Sequence, residues 1–346
     1  MSRQRATAFV PGHVTAFFSA HPADRPAAAG SRGAGIALTD GVTVRVSASE
    51  GDGSDGLAAD ASPADGPAGS RTIDGEPGTI GAVEDVLAEL GRGGAHVAVE
   101  TDLPIGAGFG VSGAAALGAA LAANDALDGG RSENELVRIA HEAEVGRETG
   151  LGDVVAQARG GVPIRVEPGA PGVGELDGIP AGARVEYVTF GELSTEAVLG
   201  GDTDTLSAAG EDALDRLRAD PRLPTLMDAA REFAREADLL VPEVAETIAA
   251  VGEERDGADS ASGREPDDHG AAMAMLGRTV FALGTGLSDA GYEPEACRID
   301  AAGARLVGDD TMPERMRRLR GEYPRETVEL SAIDGGSDDE CTGTDS

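Results

Sequence analysis

The amino-acid sequence predicts an α+β protein of two domains, on three observations. The chain has 346 residues, enough for two sizeable cores. Residues 95–101 alternate like a strand, 102–113 form a glycine-rich loop, and the alanine-rich, proline-free residues 114–127 read as a buried helix. Further strand-like and helix-like segments lie on both sides of this unit. The expected division is a first domain over residues 1–167, a second over 168–330 and a disordered tail at 331–346.

The chain opens with a strand over residues 5–10, ended by Pro11-Gly12. Residues 36–39 and 42–46 read as strands joined at Asp40-Gly41, a dipeptide suited to a two-residue hairpin turn. Residues 49–78, rich in Asp, Ala, Gly, Ser and Pro, hold almost nothing to bury and are expected to form a disordered acidic insertion. Residues 79–90 form an amphipathic helix with Val83, Val86, Leu87 and Leu90 on one face and Gly91 as its stop. In the loop that follows the next strand, Gly106, Gly108 and Gly110 let the backbone turn tightly and approach a ligand without Cβ collisions. Placed at a helix N-terminus, with its unpaired N–H groups and positive dipole end, such a loop suits a phosphate.

Ser132 and Glu135 then make a capping box for a helix with Leu136, Ile139, Ala140 and Ala143 on its apolar face, which also carries His141, Glu142 and Glu144. Asp153 follows in Gly150-Leu151-Gly152-Asp153-Val154-Val155, a carboxylate at a point where burial begins and where an uncompensated charge is costly. Residues 160–166 suggest a strand closing the first domain. Beyond it come a strand at 184–190 and helices at 205–218, 225–239 and 242–251, the last with proline at N1. Residues 256–268 form a second acidic stretch expected to lack structure. Residues 271–287 are expected to return to a buried helix whose methionines fill a core, and 299–307 to give two short strands.

Composition narrows the function. Sixty-two acidic against 28 basic residues give a net charge of −34, which argues against nucleic acid or an anionic membrane as partner. All 28 basic residues are arginine. A P-loop needs a lysine after its last glycine, and a protein kinase needs one on a nearby strand, so neither applies. Gly108-Phe109-Gly110-Val111-Ser112-Gly113 matches the dinucleotide fingerprint loosely, but Asp125 and Asp128 lie in or just after the helix rather than at the end of a second strand. With no lysine and 3% aromatics, the chain resembles a cytoplasmic protein adapted to multimolar salt, where the Debye length falls to a few Å. Cys297 and Cys341 suggest neither a disulfide scaffold nor a metal site, and the five histidines show no zinc-binding spacing. No apolar run reaches membrane-spanning length and the N-terminus lacks a signal-peptide core, so a cytoplasmic location is expected.

Pro104-x-x-x-Gly108-Phe109-Gly110-Val111-Ser112-Gly113-Ala114 resembles the second motif of the GHMP small-molecule kinases, PxxxGLGSSAA, with Val111 replacing the first serine and Gly113 an alanine. Pro11-Gly12-His13-Val14-Thr15-Ala16-Phe17-Phe18 and Ser31-Arg32-Gly33-Ala34-Gly35 are similar to segments of one branch, the archaeal pantoate kinases. The resemblance implies a two-domain GHMP kinase-like fold, with a ribosomal protein S5-like N-terminal domain and a ferredoxin-like α+β C-terminal domain. It implies ATP-dependent phosphorylation of (R)-pantoate to 4-phosphopantoate in coenzyme A biosynthesis. The alternatives are another GHMP kinase, acting on mevalonate, homoserine or shikimate, and a non-catalytic nucleotide-binding module.

By the same resemblance, Pro104, Gly106, Gly108, Gly110, Val111, Ser112 and Gly113 hold ATP, while Ser112 and Glu144 hold Mg²⁺, with Glu142 the second choice. Asp153 orients the acceptor hydroxyl and takes its proton. His13, Ser31 and Arg32 line the acceptor pocket, with the planar fork of Arg32 on the pantoate carboxylate. Pantoate and ATP are the expected partners, and a homodimer is allowed for. The superfamily's third motif, a glycine-rich loop resembling TGAGGGG, has as candidates only Leu283-Gly284-Thr285-Gly286, Gly303 and Gly308.

Overall fold

Strand β1 (Arg5–His21) does not stop at Pro11-Gly12 but runs on through it, and β2 (Gly30–Ser47) returns antiparallel beside it. In this computed structural model, residues 4–48, 69–191, 203–257, 269–275 and 277–308 are described. The register of the pair shifts between Pro11 and Gly12 and again between Thr15 and Phe17. The proline, which has no N–H for the ladder, is thus absorbed in an irregularity rather than ending the strand. Asp40-Gly41 is correspondingly not a hairpin tip: Gly41 lies opposite Pro11 within the long β2. The chain reverses instead at a short 3₁₀ turn, Pro26–Ala28.

The expected insertion is shorter than 49–78. Residues 49–68 lie outside the described residues, but β3 (Arg71–Ile73) and β4 (Glu76–Pro77) form a small hairpin, anchored by Arg71 on Glu84 at 2.7 Å and on the Gly93 carbonyl at 2.9 Å. Then follow α1 (Gly81–Glu89), β5 (His96–Thr101), α2 (Val111–Ala126), and α3 (Glu133–Gly146) with its capping box in place. Next are α4 (Asp153–Arg159), β6 (Val162–Glu167), β7 (Glu175–Ile179) and β8 (Arg184–Thr189). Three helices come next: α5 (Thr203–Ala219), α6 (Leu223–Glu236) and α7 (Pro242–Gly257). The described chain ends with β9 (Gly270–Ala274), β10 (Thr279–Leu283), α8 (Gly286–Asp289), β11 (Glu295–Arg298) and β12 (Arg305–Val307).

The α+β expectation holds. One sheet runs β12-β1-β2-β5-β3-β4, with β6 on the free part of β2 and β7 on β6; a second is antiparallel in the order β11-β8-β10-β9. The alanines of α2 are almost all buried, which lets the helix lie close upon β1 and β2. On the other side, Phe233 of α6 meets the Phe17 and Phe18 rings of β1 at 6.5 and 5.9 Å between centroids.

Residues 271–287 are not a helix. They fold into the β9–β10 hairpin and short α8, since Gly277 and Gly284 interrupt the run and Thr279-Val280-Phe281 favours an extended chain. Residues 299–307 yield one strand, β12, while Ile299 makes a single bridge to Leu38. In the second acidic stretch, residues 256–257 finish α7 and 258–268 lie outside the described residues, as does the tail. Among the described residues no helix is long and apolar enough to cross a membrane.

Candidate active site

The glycine loop ends on Gly110, which caps α2 with no side-chain hydrogen bond, so the first N–H groups of the helix point out of the loop uncapped. Gly106, Gly108 and Gly110 take φ of 80°, 90° and 65°, the left-handed region open to glycine. Pro104 and Gly106 sit at the exposed start of the loop, and Gly108 and Gly110 deeper in it. The other wall of the loop is the β9–β10 turn: Thr279 Oγ1 donates to the Ala107 carbonyl at 2.9 Å. A Cβ on Gly277 would lie 2.0 Å from that same oxygen. That wall is therefore not at Leu283–Gly286, where the Gly284 N–H donates to the Arg184 carbonyl, nor at Gly303, which abuts the Ala158 carbonyl.

Asp153 opens α4 beside the loop. Its Oδ1 accepts from His13 Nδ1 at 2.7 Å and from Thr15 Oγ1 at 3.2 Å. His13 and Thr15 reach it together because residues two apart on a strand share a face. The His13 ring is fully buried, and that burial lowers its pKa in spite of Asp153, so the neutral ring carries its proton on Nδ1. His13 Nε2 has no partner and lies against Gly35, where a Cβ would come within 2.3 Å. Burial pushes the Asp153 carboxyl upward, but His13, Arg165 and Thr15 outweigh it and hold the carboxyl below its ordinary value. An ionised Asp153 with 20% of its side chain exposed can meet a hydroxyl.

Ser112, in the first turn of α2, donates from Oγ to Glu144 Oε1 at 2.6 Å. Glu144 is 4% exposed, and burial pushes its carboxyl up to about 6. Glu142 instead pairs with Arg138 at 3.1 Å and makes no hydrogen bond to Ser112. A serine hydroxyl and one buried carboxylate fit Mg²⁺, which takes few protein ligands and completes its shell with phosphate oxygens and water. Among the described residues no group of three or more His, Cys, Asp or Glu could hold a metal alone.

Two arginines lie near the expected acceptor pocket, Arg32 of β2 and Arg165 of β6. Arg32 donates from Nη1 to Glu211 at 2.5 Å and from Nε to the Val166 carbonyl at 2.7 Å, so two of its three nitrogens are engaged within the protein. Its neighbour Ser31, on the opposite face of β2, is buried beside Gly152, where a Cβ would lie 3.0 Å from Ser31 Oγ and 3.0 Å from Arg165 Nε. Arg165 of β6 is 2% exposed, and its Nε and Nη1 have no partner. Burial lowers its pKa and the charge of Asp153 opposes this, so a guanidinium with vacant donors faces the same space as the dyad.

Known proteins share this arrangement of sequence. Residues 79–161 match the family described as GHMP kinases N terminal domain. A pantoate kinase of Thermococcus kodakarensis is 34% identical over 288 residues, covering 80% of this chain and 86% of its own. The chain belongs to the pantoate kinase family. A second pantoate kinase, from Methanocaldococcus jannaschii, is 30% identical over 80% of this chain and 91% of its own. A solved phosphotransferase related to the coenzyme A biosynthesis pathway superposes with a TM-score of 0.71 at 29% identity, covering 88% of this chain and 98% of that one. A mevalonate diphosphate decarboxylase of Staphylococcus aureus, 16% identical with a TM-score of 0.61, shares the fold.

Of the pantoate kinase site expected from sequence, the structure brings together Gly108, Gly110, Ser112, Glu144, Asp153, His13 and Ser31. Thr15 and Arg165 are additions beside them. Thr15 shares the strand face of His13, a signal hidden by ending the strand at Pro11-Gly12. Arg165 had a plainer one: a lone arginine among the apolar residues of Val162-Pro163-Ile164-Arg165-Val166.

Proposed function

We propose that this chain transfers the γ-phosphoryl group of ATP to the primary hydroxyl of (R)-pantoate, giving 4-phosphopantoate on the route to coenzyme A. The observation that carries the reading is the His13–Asp153 pair, set between a phosphate-suited loop and the vacant donors of Arg165. Phosphoryl transfer asks for positioning and charge neutralisation more than for covalent chemistry.

N–H groups from Gly108 to Gly113 hold the phosphates, and Ser112 with Glu144 holds Mg²⁺, which supplies charge neutralisation at the transferring phosphoryl group. Asp153 accepts a hydrogen bond from the acceptor hydroxyl and takes its proton as the oxygen attacks, with neutral His13 and Thr15 fixing the carboxylate. Arg165 pairs with the pantoate carboxylate, aided by Ser31, in the part first expected of Arg32. The first sheet is the core of the proposed nucleotide domain, residues 1–167, extended at its edges by β7 and β12 from residues 168–330, and the second sheet lies wholly within residues 168–330. The reading extends to a cytoplasmic, salt-adapted enzyme without nucleic-acid or membrane partners, for which a homodimer is allowed.

A panel of acceptors tests the substrate. ADP formation at high KCl with ATP and Mg²⁺ is expected with pantoate and not above background with mevalonate, homoserine or shikimate. Faster turnover of any of the other three would replace the substrate while keeping the kinase.

A further inference from the structure

Gln157 is fully buried on α4, one helical turn after Asp153 and on the same face. Its Nε2 donates to the Gly110 carbonyl at 2.9 Å, while its Oε1 has no partner. A side chain kept for packing alone would not carry an unpaired oxygen, since a leucine or methionine fills the same space without that cost. Room for the amide comes from Gly113, which stands where the kinase motif has alanine. A Cβ there would lie 3.3 Å from Gln157 Oε1 and 3.0 Å from Val154 Cγ2.

A peptide unit is planar, with its C=O and N–H pointing in opposite directions. The Gly110 carbonyl accepts from the Ala114 N–H of α2 at 3.0 Å as well as from Gln157, and the two together fix the direction of the Val111 N–H. The preceding unit is held in the same way, because the His13 N–H donates to the Phe109 carbonyl at 2.9 Å and so fixes the Gly110 N–H. Two consecutive donors of the anion loop are thus aimed through their carbonyls: one by the strand that bears His13, the other jointly by the first turn of α2 and by the helix that bears Asp153.

We infer that Gln157 is a positioning residue for the nucleotide, coupling the helix of the proton acceptor to the phosphate loop through the Gly110–Val111 peptide. This rests on the kinase reading above. It assigns to Gln157 an effect on ATP and none on the acceptor carboxylate, which is assigned to Arg165 and Ser31.

The test compares Gln157→Met, which keeps the volume without the donor, and Gln157→Glu, which keeps the shape but places an anion at the helix N-terminus. Direct ATP titration, KM for pantoate, kcat and melting temperature are measured for each in the full chain. For Gln157→Met, ATP affinity is expected to fall about ten-fold, the size of one lost hydrogen bond at its upper end. KM for pantoate and the melting temperature should hold, and Gln157→Glu should lose more ATP affinity than Gln157→Met. Wild-type ATP affinity in Gln157→Met overturns the inference, as does a parallel rise in both substrate constants with a lowered melting temperature. Failure of both variants to fold assigns Gln157 to the core and overturns it too. Wild-type protein run alongside separates the two claims: absence of pantoate-dependent ADP formation removes the kinase reading, while the ATP titration still judges Gln157.

Discussion

Glu144, the proposed magnesium ligand, makes stability depend on pH. Its carboxyl is raised by burial from 4.5 to about 6, so between those values the folded chain holds a proton that the unfolded chain releases. The ligand-free protein therefore loses stability as pH rises through that window, by about 2 kcal/mol once pH exceeds 6. Glu144→Gln should be more stable than wild type above pH 6, with the difference vanishing near pH 4; denaturant unfolding at several pH values measures it, and a pH-independent difference contradicts the assignment. Arg165 and Arg32 are separated by kinetics. Arg165→Met should raise KM for pantoate by the equivalent of about 1.5–3 kcal/mol, the value of a lost charge-assisted bond. Arg32→Ala should act on stability through Glu211 and leave that KM nearly unchanged; the reverse pattern restores Arg32 to the pocket. Ser112, Glu144 and Asp153 were legible in the sequence because each belongs to a local motif. Arg165 was not offered by the sequence as a neighbour of Asp153, because which side chains gather at Gly152 depends on the pairing of β2, and two register shifts in the β1–β2 pair intervene.

The β9–β10 hairpin is a support for the glycine loop, joined to it by Thr279 on the Ala107 carbonyl. Gly277 is where the two backbones come closest, since any Cβ there would meet the Ala107 oxygen at 2.0 Å. Gly277→Ala should push the loop and weaken ATP binding and stability together, while KM for pantoate changes less. Calorimetric ATP titration and a thermal melt check this, and unchanged ATP affinity would detach the hairpin from the nucleotide site. This element was the least legible in the chain. A buried apolar run has no alternation to betray a strand, and its partner β8 lies about ninety residues upstream. The helices α1, α3 and α6, with one apolar face and local caps or breakers, were legible within a few residues of their ends.

At the scale of the molecule, a net charge of −34 without a single lysine sets the conditions for folding. The Debye length is about 10 Å at 0.1 M salt and about 3 Å at 1 M, so self-repulsion is screened only at high salt. The unfolding midpoint and activity should both rise steeply from 0.1 M to molar KCl; an unchanged midpoint would reject salt adaptation and leave the kinase untouched. The α+β class was readable from local pattern and the resemblance to GHMP kinases, whereas the return of β12 to the edge of the first sheet beside β1 was not, because that pairing joins segments about three hundred residues apart. The central claim is tested most directly by following phosphorus with NMR in molar KCl, with ATP, Mg²⁺ and (R)-pantoate. One new phosphate monoester on the primary hydroxyl of pantoate should appear for each ADP, and Asp153→Asn should slow its appearance by about 10²–10⁴-fold while still binding ATP. ADP with free phosphate and no pantoate ester, or an unslowed Asp153→Asn, would contradict the account.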